Sequence, residues 1–303
     1  MKPRLAIDLG SRELKMLEAD GRRLTRHTEV LLPDGALADG VPTPLLTVAV
    51  RGALEEGGFV ATTARVAISE MGTAFRDFAL PRIPASELSS AVSFEGRRLI
   101  PMEPSDVYFA WSAERDGDGY AVYLVAARRA MIDGVVEALS AAGVQVERID
   151  LKPLALARGM AVSDGLLLDW GAGEATLVLM ARGRARFFRS FQLDSPSENG
   201  EAQLEELAFA LEALVKFMRT AAPEISIGPA TPLVLGGRFA FLPDGVVLAR
   251  QRFPFQVRLP SLRLKAGPSL PWQAHLAGIG LLQSIHWRER ITPSQGGDNR
   301  VAA

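Results

Sequence analysis

Apolar residues alternate at Leu5, Ile7 and Leu9, the two-residue period of a strand with a buried face. Gly10-Ser11 interrupts the pattern, a second apolar run covers 14–19, Asp20-Gly21 interrupts again, and 22–30 continues as a third segment. Short runs parted by such turn residues predict a three-strand meander. Thr43-Pro44 has the form of a helix start, and Gly57-Gly58 of a helix end. Further strands are predicted over 64–68 and 75–80.

From Pro81 the texture changes. The spacing predicts a helix over 86–99, stopped by Pro101, and two strands over 107–113 and 120–126, joined at Asp116-Gly117-Asp118-Gly119. A helix over 129–142 then ends at Gly143, and a strand covers 144–149. This block reads as a small inserted subdomain. A second strand group follows over 166–169, 176–180 and 186–191, then a polar loop over 194–200. Leu204, Leu207, Leu211, Leu214 and Phe217 recur every three or four residues and predict a helix over 201–220. A short strand over 233–235 ends in Gly236-Gly237. A last helix is predicted over 271–285, and the polar tail from 292 reads as disordered. The resulting partition is 1–81 for a first half, 82–150 for the insert, 151–268 for a second half, 269–290 for a C-terminal helix packing back on the first half, and 291–303 for the tail.

The two strand groups are copies. Leu5-Ala6-Ile7-Asp8-Leu9-Gly10 parallels Leu166-Leu167-Leu168-Asp169-Trp170-Gly171 at an offset of 161 residues, and Lys15 falls on Thr176 at that offset. In each copy an apolar strand delivers a carboxylate at its C-terminal end. The glycine beyond it permits a tight turn and a close ligand. Successive turn amides suit phosphate oxygens, and the carboxylate suits hydrated Mg²⁺. One Asp-x-Gly is an ordinary tight hairpin. Two with matching flanks, each opening a domain-sized half, predict a duplicated α/β fold with the two aspartates facing one cleft.

Composition narrows the chemistry. There is no Cys, which excludes a disulfide scaffold, a thiolate metal site and a Cys nucleophile. The net charge of −1 gives no general reason to bind nucleic acid. No apolar run approaches the ~18 residues that span a bilayer, and the N-terminus lacks a signal peptide's apolar core, so a cytoplasmic protein is expected. The basic residues are 29 Arg and only 5 Lys. His27, His275 and His286 are scattered without metal-ligand spacing, and no P-loop or Gly-x-Ser-x-Gly elbow occurs.

The two hairpins resemble the phosphate loops of the actin-like ATPase superfamily, and the chain resembles its FtsA and PilM type, the PilM family most of all. The opening Ile7-Asp8-Leu9-Gly10-Ser11-Arg12-Glu13-Leu14-Lys15 is similar to that family's first loop. Leu80-Pro81 with Glu87-Leu88, Ala91-Val92, Glu95 and Ile100-Pro101 is similar to a stretch of its inserted subdomain. Ala141-Ala142-Gly143, Ile149-Asp150 and Ala155-Leu156-Ala157-Arg158 follow in the family's order, as do Leu168-Asp169-Trp170-Gly171-Ala172 and Phe188-Arg189. Leu235-Gly236-Gly237 resembles the adenosine loop.

The resemblance implies an actin-like ATPase fold, with two duplicated ribonuclease-H-like halves, an inserted small α/β subdomain and a shortened fourth subdomain. It implies a cytoplasmic scaffold of type IV pilus assembly, at the inner membrane through its partner. That partner would be a PilN-like membrane protein whose N-terminal peptide sits between the first subdomain and the insert, with other pilus inner-membrane assembly proteins beyond. ATP would lie between Asp8, Gly10, Ser11 and Lys15 on one wall and Asp169, Gly171, Gly173 and Thr176 on the other, with Gly236 and Gly237 at the adenosine. Asp8 and Asp169 would hold Mg²⁺ through water. The phosphate side reads as usable. The adenosine side reads as poor, because little chain separates Gly173 from Gly236 and Arg238-Phe239 stands where small residues are expected.

Two other readings stay open. A kinase or ATPase of the superfamily would need a general base, for which Asp150 is the candidate, its alternative being a polar strand end. The cytoplasmic actin-like part of a type II secretion platform of the GspL type is the other. Arg250, Arg252, Arg258, Arg263 and Lys265, with no acid among them, read as a solvated strand face or as a contact for acidic lipid or partner.

Overall fold

The computed structural model describes residues 3–171, 173–195, 200–237 and 244–283. Its first half starts with β1 (Arg4–Leu9), β2 (Glu13–Asp20) and β3 (Arg23–Leu31), an antiparallel meander. β1 and β2 are buried on nearly every residue at the sheet's centre, although their polar residues Asp8, Glu13, Lys15 and Glu18 are buried with the apolar ones. A two-residue ladder, β4 (Leu37–Ala38) with β5 (Val41–Pro42), leads into α1 (Pro44–Gly57). Thr43 caps that helix by accepting from the Leu45 N–H, and Gly58 ends it in the left-handed conformation. β6 (Thr63–Ile68) lies parallel to β1.

β7 (Thr73–Leu80), α2 (Leu88–Leu99), β8 (Val107–Asp116) and β9 (Gly119–Arg128) build the insert, a three-stranded antiparallel sheet ordered β7-β9-β8. Then α3 (Arg129–Ala141) and β10 (Gln145–Leu151) return to the first half, where β10 pairs with β6 and completes the sheet β10-β6-β1-β2-β3. The packing of two elements bears on where the insert begins and ends. β7 belongs to the inserted sheet, whereas Met131, Ile132, Val135 and Leu139 of α3 join the first half's core. Apolar patterning located these elements but not the core each one enters.

After α4 (Lys152–Met160) the plan repeats: β11 (Gly165–Trp170), β12 (Glu174–Ala181), β13 (Arg184–Gln192), α5 (Gly200–Ala221), β14 (Pro232–Gly237), α6 (Gly245–Arg252), β15 (Gln256–Arg258) and α7 (Leu276–Leu282). The second sheet, β13-β12-β11-β14-β15, has the order of the first. The registers match too. Asp8 opposes Lys15 and Leu5 opposes Glu18; at the offset of 161, Asp169 opposes Thr176 and Leu166 opposes Leu179. This is the duplicated α/β architecture the repeat predicts. The described chain between β13 and β14 carries one helix, α5, in keeping with a shortened fourth subdomain.

Some elements go beyond the sequence reading, which assigns none to 152–160 and a solvated strand face to 250–265, where the structure has α4, α6 and the short β15. Pro153 occupies the first turn of α4, where its missing N–H costs nothing, and the Arg-rich run of α6 hides its helical period. The 271–285 helix is a short 3-10 turn over 272–275 followed by α7. Position 286 and the tail lie outside the described residues.

The insert also touches the second half. Phe75 packs on Phe188 with ring centres 4.7 Å apart, and Asp77 binds Arg184 at 3.0 Å and Arg186 at 2.9 Å. The Tyr123 hydroxyl donates to the Ala185 carbonyl at 3.1 Å.

Candidate functional site: the cleft between the two hairpins

Each Asp-x-Gly turn closes in the same way. The Gly10 N–H donates to the Glu13 carbonyl at 2.9 Å, and the Gly171 N–H donates to the Glu174 carbonyl at 2.8 Å. Asp8 and Asp169 end the facing central strands and are both buried. The resemblance assigns phosphates to the space between them.

Two residues that sequence reasoning passed over fill that space. Glu13 and Glu174 stand at the same offset of 161, and each reaches into the opposite loop. The Glu174 carboxylate accepts a very short bond from the Ser11 hydroxyl and a 3.4 Å bond from the Ser11 N–H. Glu13 Oε1 lies so close to Gly171 that a Cβ there would come within 2.5 Å of it. Lys15 binds Glu13 at 2.9 Å. Lys152, the first residue of α4, lies 3.6 Å from Asp8 and 3.7 Å from Glu174. Asp8, Glu13, Lys15, Lys152, Asp169 and Glu174 are all under a tenth exposed.

Four carboxylates therefore share a buried cleft with two ammonium groups. Burial raises the Asp8 pKa despite Lys152 and Lys15, and raises that of Asp169 to about 6. Burial works against both lysines, but the surrounding carboxylates outweigh it. Glu13 and Asp169 lift Lys15, and Asp8, Glu174 and Asp169 lift Lys152 well above the ordinary lysine value. Each ammonium is thus locked in its charged form. Among the described residues, Asp8 Oδ1 and Asp169 Oδ1 remain buried without a hydrogen-bond donor.

Several residues that the resemblance assigns to the nucleotide make contacts of their own within the chain. The N–H groups of Gly10, Gly171 and Ser11 are already engaged. The Thr176 hydroxyl pairs with Ser190 Oγ at 2.9 Å, and Ser190 in turn donates to Glu70 at 2.6 Å. A Cβ on Gly173 would touch the Arg12 side chain. Gly236 faces Asp169 across the β11–β14 ladder, and a Cβ there would strike Leu276 and Met160. Gly237 has φ of 70°, and its Cβ would strike the Trp170 carbonyl. Gly237 is required by its backbone surroundings, whereas Gly236 sits against side-chain ends. Asp150 is no free base: Arg148 binds it at 3.1 Å, Arg158 binds it more tightly, and the Leu151 N–H donates to it at 2.9 Å. Arg238-Phe239 lies outside the described residues. Among the described residues, no group of three acidic or His side chains is placed to hold a metal ion. A triphosphate does not fit the cleft in this arrangement, because the Ser11 and turn-glycine donors are used and the carboxylates outnumber the ammonium groups.

His275 is buried near Lys15, with neither ring nitrogen hydrogen-bonded among the described residues, and its ring meets His27 at 5.3 Å. Burial, then the Lys15 charge, lowers its pKa to about 3. The unfolded chain binds this proton from about pH 6.5 downward, so the stability associated with neutral His275 is full above 6.5 and is lost as pH falls toward 3. His275→Leu is expected to shift acid unfolding, followed by circular dichroism, to lower pH. An unchanged acid midpoint contradicts the assignment.

The comparisons agree with this architecture. The profile of the type IV pilus assembly protein PilM matches residues 6–183. The structure of a PilM-PilN type IV pilus biogenesis complex is similar at 21% identity and a TM-score of 0.73, covering 91% of this chain and 96% of that one. The cytoplasmic domain of EpsL, an inner-membrane component of the type II secretion system of Vibrio cholerae, is similar at 15% identity and 0.54, over 94% and 97%. The ethanolamine utilization protein EutJ from Carboxydothermus hydrogenoformans is similar at 14% and 0.55, over 93% and 90%. No curated protein matches by sequence. The fold is thus the actin-like ATPase fold, and the chain belongs to the PilM family of type IV pilus assembly proteins.

Proposed function

We propose that this chain is a cytoplasmic scaffold of pilus assembly that captures the N-terminal peptide of a PilN-like inner-membrane protein and has a degenerate ATP site. The observation that carries the peptide reading is a groove of about 330 Å³ along the inserted sheet, between it, α4 and the second half. Ala110, Trp111, Tyr123, Leu154, Ala157 and Met180 line it. Among the described residues β8 pairs only with β9, so its other edge faces outward with main-chain groups to offer. An extended peptide adding beside β8 would gain main-chain bonds from that edge and apolar contacts from Trp111. The groove differs from the one the family resemblance implies, since α4 and β12–β13 supply part of its wall. Among the described residues no helix is long and apolar enough to cross a membrane.

A synthetic peptide from a PilN-like N-terminus is expected to bind with micromolar affinity, about −8 kcal/mol, because ordering a free peptide offsets part of the contact energy. Trp111→Ala is expected to weaken this about tenfold or more. Absence of heat at two temperatures, together with absence of co-purification, counts against the scaffold reading.

A further inference from the structure

We infer that Glu13 and Glu174 are built-in substitutes for nucleotide phosphates, closing the cleft from both sides so that the chain keeps its closed arrangement without ATP. This rests on the proposed degenerate site and names what disables it. The arrangement is two-fold: the residues are equivalent in the duplication, and each carboxylate lies against the loop of the other half, Glu174 on Ser11 and Glu13 beside Gly171. Ser11 and the two turn glycines are the donors a triphosphate would need. Ser11 donates to Glu174, and the glycine amides close their own turns. Buried carboxylates persist only when compensated, and Lys15 and Lys152 supply the compensation at 2.9 to 3.7 Å. An incoming triphosphate would have to displace both glutamates and would still meet Asp8 and Asp169.

The same contacts reach the groove. Lys152 begins α4, and Leu154 and Ala157 of that helix line the groove wall. A cleft held shut by the chain itself fixes α4 without nucleotide.

The test is titration of a fluorescent ATP analogue with magnesium into the native chain and into the Glu13→Ser/Glu174→Ser double variant. The native chain is expected to show no saturable binding in the micromolar range. The variant is expected to gain about tenfold or more. A folded variant with no gain overturns the inference while leaving the degenerate-site reading intact, since the adenosine side then limits binding. Tight native binding that the substitutions leave unchanged overturns both. Glu13→Gln/Glu174→Gln keeps the shape, removes two charges and serves if the serine pair fails to fold. Inorganic triphosphate is then expected to raise the variant's thermal midpoint and leave the native one unmoved; equal response of the two contradicts the inference.

Discussion

Replacing Lys152 by Met is expected to lower the thermal midpoint by about 10 °C at pH 7.5. Lys152 is fully buried between Asp8 and Glu174, and its charge also acts on Asp169. Removing one partner of a buried ion cluster leaves uncompensated charge and costs about 3–5 kcal/mol. For chains somewhat smaller than this one, each kcal/mol moves the midpoint by about 2–4 °C. The loss is also pH-dependent. The folded-state pKa of Asp169 is about 6, above its unfolded value, so the folded chain binds that proton more tightly and the penalty of its ionised form fades as pH falls through 6. Without Lys152 the values for Asp8 and Asp169 rise further. The gap between native and variant midpoints should therefore narrow from pH 7.5 to 5. A gap that is constant over this range would mean that Lys152 acts through packing rather than charge.

The second large effect is expected at Gly280. α4 and α7 cross with their backbones in contact: a Cβ on Gly280 would lie 1.8 Å from the Ala155 carbonyl, and one on Gly159 would lie 2.0 Å from the Leu276 carbonyl. The obstructing atoms are main chain and cannot rotate away. Gly280→Ala gains about 1 kcal/mol of helix propensity. It also forces apart two helices that seal both sheets, since α7 presses Gly278 onto Leu17 and Ala6 of the first half while Leu276 reaches Gly236 of the second. Overpacking against backbone exceeds the usual ~1–3 kcal/mol, so the expected result is a net loss above ~2 kcal/mol or insoluble protein. Chemical denaturation reads it directly, and a midpoint within error of native would refute this packing account.

The hairpins and the duplication were legible because alternation, turn glycines and a constant offset are local or periodic signals. Glu13 and Glu174 obey that same offset and were available to sequence reasoning. Attention to glycines and aspartates, the residue types that would hold phosphate, passed over the two that replace it. Lys152 carried no such signal. It follows Asp150 at the end of a predicted strand, and nothing local shows that α4 starts there and aims it at Asp8. The α4–α7 crossing was invisible for another reason: Gly159 and Gly280 are far apart in sequence, and neither alone marks a close approach of two helices. The insert was legible as a block, but its boundary depended on α3 joining the first half's core, a tertiary choice.

A peptide scaffold whose cleft is closed by its own side chains needs no nucleotide to bind its partner. Calorimetric titration of a PilN-like N-terminal peptide, with and without ATP and magnesium, tests it most directly. Micromolar binding of equal affinity is expected in both conditions, because Glu13 on Lys15 and Glu174 on Lys152 already hold the cleft. An affinity that changes about tenfold with nucleotide, or no binding in either condition, would contradict it.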